Sequence, residues 1–222
     1  MHRAAPDQTS RNRIYTELRR SIIMGYRSPG ERLSVDELAQ SYGTSVTPIR
    51  DALQMLSEAG LVTIKPRSGY FVTRITLKQL RDLLDLREIL ELASVERAAV
   101  NITEAQLDGL EHIYRGYTGD DDESYDRYTE ENRQFHVMLA QASGNQELAE
   151  AVGRLHDRLA RLMVVCHAGK TMESTHAHTV RALRARNVEA AREAMRAELT
   201  HTRAIILDYI IQEEGGAWHL DT

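Results

Sequence analysis

The chain has 222 residues, 42% of them hydrophobic and 27% charged, with a formal net charge of −5 and one cysteine, Cys166. That length holds two modest cores, and a single cysteine excludes a disulfide framework and fits a reducing compartment. No apolar run reaches the ~18 residues that span a bilayer, and the first residues carry no signal-peptide core, so the expectation is a cytoplasmic chain with no membrane partner.

The charge is unevenly divided. Residues 1–76 hold 11 Lys and Arg against 7 Asp and Glu, a surplus of +4, whereas residues 77–222 hold 17 against 26, a balance of −9. Any nucleic-acid contact therefore belongs to the first third.

Residues 1–10 are polar and aperiodic, which predicts a disordered N-terminus. Ile14, Leu18 and Ile22 then repeat every four residues and predict a helix over 11–24 that ends at Gly25. Pro29-Gly30 turns the chain into Glu31–Arg74. Ser34 with Glu37 reads as a capping box opening a second helix, and Gly43 stops it. Thr44 and Ser45 offer hydroxyls to cap a third helix, with Pro48 tolerated in its first turn. Ile49, Ala52, Leu53 and Leu56 form its inward face, leaving Val46, Thr47, Arg50 and Gln54 outside. A short polar face with one cation suits the floor of a major groove. The runs LVTIK and YFVTR flank Pro66-Arg67-Ser68-Gly69 and predict a hairpin with a basic tip. Residues 11–75 thus read as a winged helix-turn-helix whose partner is double-stranded DNA.

From residue 76 to about 214 the strand signals vanish. Six helices are expected: 76–99, from 103 to the Gly116–Gly119 region, 120–142, 145–167, 172–185 and 187–212. Short loops between them make an antiparallel all-α bundle, and the chain as a whole is mainly α. Residues 215–222, with Trp218, read as a mobile tail. Cys166, beside Val164 and Val165, reads as a small core residue.

Several polar residues fall on apolar stripes of this bundle. Asn132 and His136 share a face with Tyr128, Phe135 and Leu139. His176 lies on the stripe of Val180 and Leu183, while His178 points the other way. Glu198 shares a stripe with Ala191, Met195 and Ile205, with His201 at its edge. Arg87 interrupts the leucine stripe of the first bundle helix. It either snorkels outward or pairs with Glu91 four residues on, or it offers a fork to a carboxylate effector.

These residues resemble the GntR family of bacterial transcription regulators, in the branch with the all-helical FCD effector domain. The DNA side of the resemblance is LSVDELAQSYGTSVTPIRDAL, LSEAGLV and SGYFV; the effector side is DLLDLREILE, NRQFH, ASGN and the region from His176 to Glu198. The resemblance implies a homodimeric repressor released from a two-fold operator by a small organic acid. It implies DNA contacts at Ser45, Val46, Thr47, Arg50 and Gln54 and at the wing residues Lys65, Arg67 and Gly69, with Arg11 and Arg13 near phosphates. Val46 departs from the arginine usual at its position, which implies a different half-site. Arg87 aligns with an arginine that lines the effector cavity.

FCD domains hold a divalent metal with an aspartate and three histidines, and those positions align with Asn132, His136, His176 and Glu198. The carboxylate has moved to another corner of the set, and its single negative charge is kept. Such N and O donors suit Zn, Ni or Mn; the alternative is a dead site with Glu198 paired across the bundle. Two other classes are a metal-dependent hydrolase and a winged-helix adaptor that binds protein. Against the hydrolase, the chain lacks HExxH, a nucleophile elbow and a phosphate loop. Against the adaptor stands the charge division, +4 against −9.

Overall fold

The computed structural model describes residues 6–114, 122–166 and 172–213. The chain divides into two compact units, Met1–Arg74 and Ile75–Thr222.

The first unit runs α1 (Pro6–Ile23), β1 (Arg32–Leu33), α2 (Val35–Tyr42), α3 (Val46–Glu58), β2 (Val62–Lys65) and β3 (Gly69–Val72). Ile14, Leu18 and Ile22 of α1 pack with Ile49, Leu53 and Leu56 of α3 in a closed core. The hairpin gains a third strand, giving an antiparallel sheet of order β1-β3-β2 with Arg32 opposite Phe71 and Leu33 opposite Tyr70. Two residues are too short to show alternation, so β1 carried no sequence signal. Gly30, at φ +80°, donates its N–H to the Val72 carbonyl at 2.8 Å and starts this pairing.

Two local expectations are corrected. Helix α1 begins at Pro6, so residues 6–10 are helical rather than disordered; proline suits a first helical position, where no N–H is needed. Residues 1–5 lie outside the described residues. At α3, Ser45 is the N-cap, but its side chain makes no capping hydrogen bond. At α2 the Ser34 hydroxyl does accept the Glu37 N–H, at 3.4 Å, and Gly43 closes the helix at φ 60°.

The second unit contains α4 (Leu77–Asn101), α5 (Glu104–Tyr114), α6 (Asp122–Ala142), α7 (Gln146–Val165), α8 (Met172–Arg184) and α9 (Val188–Glu213). Thr76 and Gln79 cap α4 reciprocally, and the side chain of Asn145 accepts the Leu148 N–H at 3.1 Å to start α7. Asn187 does the same for α9 through Ala190 at 3.0 Å. Phe135, Leu139, Leu107, Leu110, Leu183 and Met195 fill the centre. Arg184 clamps α8 to α5 through Glu104, Asp108 and Glu111. The Gly116–Gly119 segment and the tail with Trp218 fall outside the described residues. Among the described residues, no helix is long and apolar enough to cross a membrane.

Candidate functional site

The first unit displays one polar helix face. Ser45, Val46, Thr47, Arg50 and Gln54 are all exposed at or along α3, opposite the buried Ile49, Ala52, Leu53 and Leu56. Val46 is 38% exposed, an uncovered apolar side chain in the first turn of α3. On the wing, Lys65 and Arg67 are exposed, and the Lys65 ammonium sits 4.8 Å from the centre of the Phe71 ring, which steadies it. Arg67 takes φ 61° and Gly69 φ 107°, a left-handed pair that bends the wing tip.

The second unit gathers a polar centre from five helices. Helix α4 contributes Arg87 and Glu91, α6 Asn132 and His136, α7 His156, α8 His176 and α9 Glu198. None is more than 5% exposed. His136 stands between two carboxylates: Nδ1 donates to Glu91 Oε2 at 2.9 Å, and Nε2 lies 3.1 Å from Glu198 Oε1. His156 Nε2 donates to Glu91 Oε1 at 2.7 Å. His176 Nε2 lies 3.6 Å from Glu198 Oε1, its ring stacked on Phe135 at 3.8 Å between centroids. Arg87 reaches toward both acids, with Nε 3.5 Å from Glu91 and Nη2 3.7 Å from Glu198.

Two donor groups overlap here and share His136: Glu91, His136 and His156, and His136, His176 and Glu198. They differ in satisfaction. Both Glu91 oxygens accept hydrogen bonds from histidines. In the second group His136 Nε2, His176 Nε2 and both Glu198 oxygens lack hydrogen-bond partners, as does Asn132 Oδ1 one turn before His136. The His136 and His176 nitrogens face Glu198 at 3.1 and 3.6 Å without hydrogen-bond alignment, whereas buried polar groups are ordinarily hydrogen-bonded.

The electrostatics follow from this geometry. Burial opposes charge on His136, yet Glu91 and Glu198 on either side raise its pKa to about 9. Burial, together with the cation at His136, lowers His156 to about 4 against the pull of Glu91. Burial likewise lowers His176, opposed by Glu198. Burial would raise both acids, but the histidines outweigh it and hold Glu91 and Glu198 well below the usual carboxylate range. Cys166 is only partly buried rather than a core residue, and burial still pushes its thiol up to about 12, so it is no nucleophile.

The structure therefore brings His136, His176 and Glu198 together, places Asn132 on the face of His136, and sets Arg87 beside them. Sequence reasoning missed His156 and treated Glu91 only as a partner for Arg87. Both had a signal: Glu91 shares the stripe of Leu84, Val95 and Ala98, and His156 that of Val152, Leu159 and Met163. A cavity of about 120 Å3 opens beside Arg87, lined by Leu84, Glu88, Leu199, Thr200 and Arg203.

Residues 82–201 match the family model for the FCD domain, and residues 10–72 match that for bacterial regulatory proteins of the gntR family. The chain belongs to the GntR family and carries an FCD domain. It is 32% identical over 207 residues to an HTH-type transcriptional regulator in an unstable DNA locus of Streptomyces ambofaciens, covering 90% of this chain and 85% of that protein. It is 29% identical over 219 residues to the HTH-type transcriptional repressor RspR of Escherichia coli, covering 96% and 95%. The solved structure of E. coli McbR/YncC has the same fold, with a TM-score of 0.75, 22% identity and coverage of 90% and 98%. A GntR regulator from Rhodococcus sp. RHA1 gives a TM-score of 0.74 at 22% identity. The GntR chain is a DNA-binding, ligand-responsive transcription regulator and not an enzyme; its winged helix is the first unit and its FCD domain lies in the second.

Proposed function

We propose that this GntR regulator is a homodimeric repressor whose FCD domain binds a divalent metal and a small carboxylate, which together release it from a two-fold operator. The observation that carries this reading is the set of unpartnered donor atoms on Asn132, His136, His176 and Glu198. A zinc, nickel or manganese ion held by those four would satisfy all of them and supply a Lewis-acid point for an anion. Charge supports an anionic effector. With a divalent ion in place, Arg87 and the ion outweigh Glu91 and Glu198 by one positive charge, which one carboxylate neutralises. Arg87 has two buried nitrogens, Nε and Nη2, without hydrogen-bond acceptors to offer it.

On DNA, Thr47, Arg50 and Gln54 read base edges or nearby phosphates, Ser45 and Val46 sit at the helix start, and Lys65, Arg67 and the Gly69 backbone approach phosphates. Repression is supported by RspR, a repressor similar along almost the whole chain. A second copy is supported by Leu86, Ile89 and Val100 of α4, large apolar side chains exposed at 43%, 65% and 69%.

The test uses full-length protein purified without chelator. Elemental analysis is expected to find one metal per chain. Duplexes selected from a random pool are then titrated with acetate, lactate and malate, and at least one acid is expected to weaken operator binding about tenfold or more. Operator affinity identical with and without every acid that binds would sink the effector reading.

A further inference from the structure

Glu91 and His156 are buried polar groups that the metal reading leaves without a task. Glu91 is fully buried on α4, and its partners arrive from two other helices, 45 and 65 residues along the chain. The His156 ring also stacks on His136, with centroids 4.4 Å apart and planes at 27°. An imidazole can present either nitrogen to a metal, and the hydrogen bond made by the other nitrogen decides which. For His136, Nδ1 is held by Glu91 at 2.9 Å while Nε2 faces Glu198 at 3.1 Å without hydrogen-bond geometry.

We propose that Glu91 is the positioning residue of the metal centre: it divides its two oxygens between His136 and His156, aiming His136 Nε2 at Glu198. The inference rests on the metal reading above. Glu91 itself is no ligand in it: each of its oxygens accepts a hydrogen bond from a histidine, and the donor atoms without such partners lie on the Glu198 side of His136. His156 pins the carboxylate from α7, so the orientation of a ligand on α6 is set by an acid on α4 and a histidine on α7. Arg87 stands one turn before Glu91, its Nε 3.5 Å from Oε1 without hydrogen-bond geometry while His156 donates to that same oxygen, so its donors stay available to an anion.

The test compares full-length wild type, Glu91→Gln and Glu198→Gln. Zinc affinity is measured by competition with a chromophoric chelator, and ring 15N–1H spectra are recorded on zinc-loaded protein. Wild type is expected to take one zinc, and Glu198→Gln, which removes a ligand charge, to lose it. Glu91→Gln is expected to bind zinc about 10–100-fold more weakly and to shift the His136 Nδ1–H resonance, which a structural role elsewhere in the core would leave in place. If Glu91→Gln does not fold, His156→Leu carries the test, with zinc binding weakened about tenfold and the same resonance moved. Unchanged zinc affinity and an unchanged His136 signal in a folded Glu91→Gln overturn the positioning role and leave the metal reading standing. Wild type that binds no zinc, or binds it no better than Glu198→Gln, removes both.

Discussion

Arg87 Nε lies 3.5 Å from Glu91 Oε1, one turn away on α4, and the two make no hydrogen bond. Both side chains are buried, so this is not a loose surface pair relaxed by water. Glu91 is engaged by His136 and His156, and Glu198 lies 3.7 Å from Arg87 Nη2, also without hydrogen-bond geometry. A buried guanidinium that is ion-paired with two acids yet hydrogen-bonded to neither through Nε or Nη2 still has donors for an acceptor from outside. Replacing Arg87 with Met is therefore expected to lower carboxylate affinity about 10–100-fold, the loss that goes with a charged hydrogen bond, while acid-free operator binding is kept. Anisotropy titrations with and without lactate check both halves.

The metal-free protein is expected to be most stable near neutrality. The folded pKa of His136, about 9, lies above its unfolded value of about 6.5, so its contribution is full below about 6.5 and is lost as pH rises toward 9. The folded pKa of His156, about 4, lies below its unfolded value, so the folded state takes up fewer protons and stability falls as pH drops from about 6.5 toward 4. The depressed acids Glu91 and Glu198 add to the acid-side loss. Urea denaturation in EDTA from pH 4 to 9 should give a maximum between these limits. Stability rising steadily from pH 6.5 to 9 would contradict the His136 assignment.

Zinc binding must strip the Nε2 proton from His136, whose pKa is about 9. Apparent zinc affinity should therefore rise with pH up to about 9, by as much as tenfold per unit, and calorimetry in buffers of different ionisation enthalpy should show proton release.

Val46 is exposed in the first turn of α3, with Thr47 and Arg50 on the same face. Val46→Arg is expected to tighten binding to duplex DNA and to steepen its salt dependence by about one unit of log–log slope, with the fold unchanged. Arg50→Ala is expected to cost about 1–3 kcal/mol of operator binding. Salt titrations of both variants read the two effects separately.

Ile89 of α4 is 65% exposed. On the proposed dimer, Ile89→Glu is expected to give monomer in sedimentation and to weaken operator binding while the helix content seen by circular dichroism is kept. A variant that stays dimeric moves the interface elsewhere.

Local order was legible residue by residue. Ser34 and Gly43 announced the ends of α2 because caps and left-handed turns depend on a few neighbouring residues. The inward positions of Ile49 and Leu53, or of Phe135 and Leu139, followed from period alone. The two-residue strand β1 was not legible, because its identity lies in its pairing with Phe71 and Tyr70. Ser45 misled because a hydroxyl at an N-cap bonds only when its rotamer and the turn allow it.

By itself, the sequence determined the two-part architecture, the exposed α3 face, and the burial of Asn132, His136, His176 and Glu198, since each depends on periodicity or on local chemistry. It could say which face of a helix a side chain occupies, but not which side chain from another helix stands opposite. Only the tertiary structure decided that Glu91 belongs to His136 and His156 rather than to Arg87. Those partners lie 45 and 65 residues away, and the choice is made by the packing of three helices, which no local pattern records.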